Sequence, residues 1–207
     1  MFDAWGSNAM YDRLVTLLEP PPNRRRVCDG PFEYHLPEGA VIVAFAMYLM
    51  HNFPDLKHVA LHPDGEHGKR FEFKGWLEGQ GFAMQKPVGT TGFGGLYVSQ
   101  EGRSVLVDPK SGEPDVIAKM GGKSFVAECK GGVLNTRHSG KLSQLRKGLC
   151  EAVGLSLAMP KTENRRQFAV VPRTKTTQAL AERLRPRANQ AGIELALVDG
   201  HGNVYLV

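Results

Sequence analysis

The stretch Glu113 to Lys130, Glu-Pro-Asp-Val-Ile-Ala-Lys-Met-Gly-Gly-Lys-Ser-Phe-Val-Ala-Glu-Cys-Lys, constrains this chain more than any other. Pro114–Ala118 and Ser124–Lys130 read as two short apolar strands around Gly121-Gly122, a glycine pair suited to a hairpin turn. After the Gly131-Gly132 break, Leu142, Leu145, Leu149, Val153 and Leu157 recur at three- and four-residue spacing, which predicts a helix from about Ser139 to Met159, ended by Pro160. Phe168–Val171 then reads as a buried strand. An antiparallel pair followed by strand, long helix and strand requires a parallel, right-handed crossover beside the hairpin. The expectation is an α/β (α+β) fold, a three-layer α/β/α sandwich around a mixed central sheet.

The remaining chain fits this frame. Met1 to Leu18 reads as a short helix ended by Pro20-Pro21-Pro22; Arg24-Arg25-Arg26 after it suits either a phosphate contact or a simply exposed loop and is assigned no role. Pro37-Glu38-Gly39-Ala40 and the apolar run Val41 to Met50 predict a buried helix opened by a proline and an acid in its first turn. Lys57–His62 reads as a strand, Glu66–Gln80 as a helix with Phe71, Trp76 and Leu77 on its buried side, and Leu96–Ser99 with Ser104–Val107 as a hairpin. Thr176 or Thr177 caps another helix through about Asn189, and Ile193–Val198 and Val204–Val207 close the chain as strands. The division expected is an N-terminal helical extension over residues 1–62, packed on the core, and a core domain over 63–207.

Charge is distributed unevenly. Up to Lys130 the sequence holds 14 Lys/Arg and 16 Asp/Glu; from Gly131 onward it holds 12 and 5, so the C-terminal part is basic. Such a skew suits a polyanionic partner such as nucleic acid, and equally a solvated face. The three cysteines, Cys28, Cys129 and Cys150, are an odd number at unrelated spacings, which argues against a disulfide framework and a structural zinc site. No apolar run approaches the roughly 20 residues of a membrane span, and no secretion signal opens the chain, so a cytoplasmic location is the expectation. His51, His58, His62 and His67 match no familiar zinc spacing. Met120-Gly121-Gly122-Lys123-Ser124 ends like a phosphate loop, but it lacks the first glycine and leads into a strand.

Apolar strands do not hold Asp, Glu and Lys without partners, because unpaired buried charge is expensive. Residues two apart on a strand share a face, so Glu128 and Lys130 project together and Cys129 points away. A turn at Gly121-Gly122 brings Asp115 alongside them. Two carboxylates and the main-chain carbonyl of Cys129 offer hard oxygen ligands for magnesium, which keeps several waters. Lys130 beside that ion can orient or deprotonate a water, or neutralise a phosphate. The plain alternative is a salt bridge between Lys130 and one of the acids. Neither Cys129 nor Cys150 has a histidine at a spacing that suggests a cysteine nucleophile.

Pro114-Asp115, twelve intervening residues, and Glu128-Cys129-Lys130 resemble the PD-(D/E)xK nuclease superfamily, which has the restriction-endonuclease-like fold. The resemblance spans about Glu66 to Val171. It implies a magnesium-dependent nuclease, manganese being a substitute, that hydrolyses phosphodiester bonds in DNA. Asp115, Glu128 and Lys130 match the core motif, and Glu72, with Glu66 as its rival, matches the helix acid that members often carry ahead of it. Gln144 resembles a glutamine that some branches carry on the following helix, although Gly148 stands where those branches have tyrosine. On this reading Arg137, Lys141, Gln144, Arg146, Lys147, Arg165 and Arg166 contact nucleic-acid backbone, and action as a homodimer or within a larger complex is common in the superfamily. Two further readings start from the same residues: a non-catalytic nucleic-acid-binding module of the same fold, and a structural or interaction protein with a buried ion-pair network.

Overall fold

The computed structural model describes residues 14–18, 28–30, 32–64 and 70–207. In chain order these form β1 (Thr16–Leu18), β2 (Glu33–Leu36), α1 (Glu38–Asn52), β3 (His58–Leu61), α2 (Phe73–Gly79), β4 (Phe82–Pro87), β5 (Gly95–Ser99), β6 (Ser104–Val107), β7 (Val116–Met120) and β8 (Lys123–Cys129). They continue through β9 (Gly132–Val133), α3 (Ser139–Ala158), β10 (Arg165–Pro172), α4 (Lys175–Gln190), β11 (Ile193–Val198) and β12 (Val204–Leu206). Nine strands make one mixed sheet in the order β12-β11-β10-β8-β7-β3-β6-β5-β4, and β1-β2-β9 make a small second sheet.

The order follows from local chemistry. Gly121 and Gly122, at φ +55° and +78°, occupy a left-handed region that strains other residues, and they join β7 to β8 in register Met120↔Lys123. β8 and β10 run parallel, with α3 as the crossover, and β10 and β11 repeat the arrangement through α4. Thr174 opens α4 with a reciprocal capping box to Thr177, three residues earlier than Thr177 would have placed it as cap.

Alternation along β8 divides the molecule into layers. Phe125, Ala127 and Cys129 join α1 in the larger core cluster, together with Phe168 and Val170 of β10. Ala169, Val171 and the β11 residues Leu195 and Leu197 pack with α3 and α4 on the opposite face. The three-layer mixed architecture is therefore present. α1 buries ten of its residues because it crosses the middle of the sheet, and burying each large apolar side chain contributes about 1.5–3 kcal/mol.

Three boundaries differ from expectation. α1 sits in the main core and β3 lies between β7 and β6, so residues 38–61 belong to the core domain and not to an N-terminal extension. Thr16–Leu18 is a strand paired with β2, not a helix end; residues 1–13, the proline run and Arg24-Arg25-Arg26 lie outside the described residues. The helix expected over Glu66–Gln80 is short, at Phe73–Gly79, and Glu66 lies outside the described residues. On α3 the buried face is Leu145, Leu149, Ala152 and Ser156, and Ser156 in the last turn still donates to the Phe168 carbonyl of β10 at 3.4 Å; Leu157, about 100° further round the helix, is exposed.

Candidate functional site

The β7–β8 register pairs Val116 with Ala127, so the next step places Asp115 opposite Glu128, at the end of the sheet where β8 stops. The Asp115 carboxylate accepts the Cys129 N–H at Oδ2, 2.7 Å away, and its carbonyl accepts the N–H of His62 in β3's extension. Asp115 is thus fixed from both sides and is only 8% exposed. Glu128 and Lys130 follow on the face towards α3, while Cys129 is fully buried on the α1 side. The hairpin delivers the grouping that the strand period predicts.

Glu38 is the unexpected member. It stands in the first turn of α1, its side chain 8% exposed, with Oε2 3.6 Å from Lys130 Nζ. Gly131 permits this approach: a Cβ there would lie 2.5 Å from the Glu38 nitrogen and 2.7 Å from the Leu36 carbonyl oxygen. Only a residue without a side chain lets the end of β8 pass against the start of α1. From the opposite face, Glu151 of α3 brings Oε1 within 3.3 Å of the same ammonium. Glu72, the expected helix acid, instead caps α2: its side chain is exposed and accepts the Gly75 N–H at 2.6 Å. The acid that reaches the cluster comes from the Pro37-Glu38 helix start, which the sequence displayed as a helix signal.

Among the described residues, the carboxyl groups of the cluster outnumber its cations. Burial, with Glu38 and Glu128 nearby, raises the Asp115 carboxyl to about 8, against the lowering effect of the Cys129 hydrogen bond. Burial raises Glu128 to about 7, with Glu38 and Glu151 adding to it and Lys130 opposing. Burial alone would lower the Lys130 ammonium, but Glu38, Asp115 and Glu151 outweigh it and hold the lysine above its ordinary value. Burial also pushes the Cys129 thiol well up, which leaves it uncharged and unsuited to nucleophilic work.

Among the described residues, no three His, Cys, Asp or Glu side chains converge closely enough to cage a metal by themselves. A hard dication does not need such a cage, since magnesium is commonly held by one or two carboxylates and several waters. A buried and a half-buried carboxyl that both resist ionisation, beside a third acid, suit a dication, which would favour the charged forms. Asp115, Glu128 and the Cys129 carbonyl at the end of β8 are the donors that could hold it. The described histidines form no metal-holding group: His58 bonds Ser104 Oγ and His62 bonds the Asp108 carbonyl, and His67 lies outside the described residues.

Next to Lys130 opens a cleft of about 360 Å³ between β2, β9 and α3. Lys141, Gln144 and Lys147 line it, and so do His35 and Arg70, which sequence reading did not single out. Arg146 is exposed outside the lining, and Arg137 pairs with Asp29 ahead of α3. Arg165 and Arg166 are not near. They start β10 opposite Ser124 and Phe125, so about 10–20 Å of strand separates them from Glu128 and Lys130. Arg166 forks onto Glu194 with two 2.7 Å bonds and lies over Phe53, Phe125 and Phe168; Arg165 donates to the Pro160 carbonyl. Both are engaged with the protein itself.

No family model matches the chain, and neither a curated protein nor a solved structure matches it significantly.

Proposed function

We propose that the protein is a metal-dependent nuclease hydrolysing phosphodiester bonds in DNA. The observation that carries the reading is the meeting of Asp115, Glu128, Glu38 and Lys130 at one end of the sheet, where a basic cleft begins and, among the described residues, the acids outnumber the lysine. A protein that only binds nucleic acid gains nothing from clustered carboxylates, which repel phosphate. A hydrolase uses them to hold a cation.

On this reading Asp115 and Glu128, with the Cys129 carbonyl, hold magnesium, or manganese in its place, which supplies Lewis acidity at the scissile phosphate. Lys130 stands between Glu38 and Glu151 with its ammonium held in place. It donates to the attacking water or to a non-bridging phosphate oxygen, where charge accumulates. Glu38 orients that lysine. Glu72 has no part in this centre. Lys141, Gln144 and Lys147 contact the substrate, and Arg165 and Arg166 serve the fold.

One observation favours a second reading: Lys130 already bridges two carboxylates, as in a structural ion-pair network. Such a network predicts loss of stability when one member is removed, with no dependence on metal or nucleic acid. The readings separate when the purified protein is incubated with linear, circular, branched and single-stranded DNA in magnesium or manganese, beside folded Asp115→Ala and Lys130→Ala variants. Cleavage by the wild type alone is the expected result. Equal cleavage by all three proteins, or none by any under every condition, sinks the nuclease proposal.

A further inference from the structure

The cleft beside Lys130 has room for one nucleotide unit and not for a double helix, since about 360 Å³ lies at the small end of the roughly 300–1,000 Å³ common to ligand pockets. Its walls are β2 and the short β9 on one side and α3 on the other, and Glu38 and Lys130 stand in its lining. Both lining acids, Glu38 and Glu151, are turned to Lys130. Three further cations remain along the walls: Arg70, Lys141 and Lys147.

These groups are placed for a phosphate and a base. Lys141 is anchored by Glu33, a nearly buried acid of β2, and an ammonium has three protons, so the pair leaves donors for an anion. Arg70 presents a fork of the kind that binds phosphate bidentately. His35 is held below its ordinary value by burial and by Arg70, so near pH 7 it is a neutral ring with one donor, one acceptor and a flat face. Gln144 adds an amide that can both donate and accept.

We propose, resting on the nuclease reading, that the cleft holds one unpaired nucleotide adjoining the scissile bond, its phosphate on Arg70, Lys141 and Lys147 and its base against His35 and Gln144. The substrate is then a single strand, or a frayed or branched end, and not a continuous duplex. Recognition of unpaired bases by flat side chains and of their phosphates by cations is the general mode for single strands.

The test is fluorescence anisotropy with the full chain in EDTA, using a short labelled single-stranded oligodeoxynucleotide and a blunt duplex of equal length, with deoxynucleoside monophosphate and inorganic phosphate as competitors. The single strand binds more tightly than the duplex, and the mononucleotide competes better than phosphate. Arg70→Gln weakens single-strand binding by about tenfold, the worth of one charge-assisted contact. Lys141→Gln does the same, but it also strips Glu33 of its cation; Arg70 is exposed, so its variant keeps the test open if the lysine variant fails to fold. His35→Ala weakens oligonucleotide binding and leaves phosphate competition unchanged.

Preference for the duplex, equal competition by phosphate, or unchanged binding by Arg70→Gln overturns the cleft proposal. If the wild type still cuts DNA in magnesium in that event, the nuclease reading stands and the cleft assignment alone falls. If nothing is cut in any metal, the nuclease reading falls and takes with it the placement beside a scissile bond, even where binding persists.

Discussion

Replacing Asp115 by Asn should make the metal-free protein more stable at pH 8, not less. Asn keeps an oxygen for the Cys129 N–H but carries no charge, and it has nearly the same volume. The Asp115 carboxyl sits at about 8 in the folded chain against 3.8 when unperturbed. Between those values the folded state binds a proton that the unfolded state does not, so stability falls as pH rises, by about 1.4 kcal/mol per unit for a single group. Taken over the whole interval that slope gives at most about 6 kcal/mol. Glu38 and Glu128 share the same repulsion and remain after the substitution, so about 2–4 kcal/mol is the expected recovery, or roughly 5–15 °C in melting temperature for a chain of this size. The assay is thermal and urea unfolding of wild type and Asp115→Asn in EDTA at pH 6 and pH 8, repeated with magnesium. The wild type should lose stability from pH 6 to pH 8, the variant should lose much less, and magnesium should stabilise the wild type alone, because a bound cation favours the ionised acids. If the variant is no more stable than the wild type at pH 8 and follows the same pH slope, the charge-starved site is wrong. A function-linked cost of this kind is common where chemistry requires buried charge.

The remaining predictions concern the neighbours. Gly131→Ala drives a methyl into the backbone of α1, so it should cost about 2–4 kcal/mol by urea titration and displace Glu38, lowering DNA cleavage more than the stability loss accounts for. Lys130→Met removes the ammonium from between Glu38 and Glu151; it should abolish cleavage and destabilise the fold by about 1–3 kcal/mol in EDTA, a loss that magnesium partly restores. Arg166→Ala should lower stability by about 1–3 kcal/mol, since the fork on Glu194 and the ring contacts go together, while oligonucleotide affinity measured by anisotropy stays unchanged.

Much of the site was legible because strands and hairpins are local. The period of two puts Glu128 and Lys130 on one face, and two glycines in a row between apolar runs fix which residues oppose each other, so Asp115 meets them without any long-range information. Arg165 and Arg166 were misplaced because closeness in sequence to a basic helix says nothing about which end of the sheet a parallel strand starts from. The division at residue 62 failed for a related reason. A buried helix reads the same in an extension as in a core, and β3 acquires its place only by pairing with β7 and β6, far along the chain.

The sequence by itself determined the mixed three-layer architecture and the Asp115, Glu128, Lys130 grouping, because spacing within a few residues is enough to set both. Only the tertiary structure decided which helix acid meets Lys130. In the sequence Glu72 falls inside a helix expected over Glu66–Gln80 and Glu38 in the first turn of another, and neither position tells which of them meets Lys130. Glu72 spends its carboxylate on the first turn of its own helix. Glu38 reaches Lys130 because Gly131 lets two backbones, more than 90 positions apart in the chain, come close enough to touch.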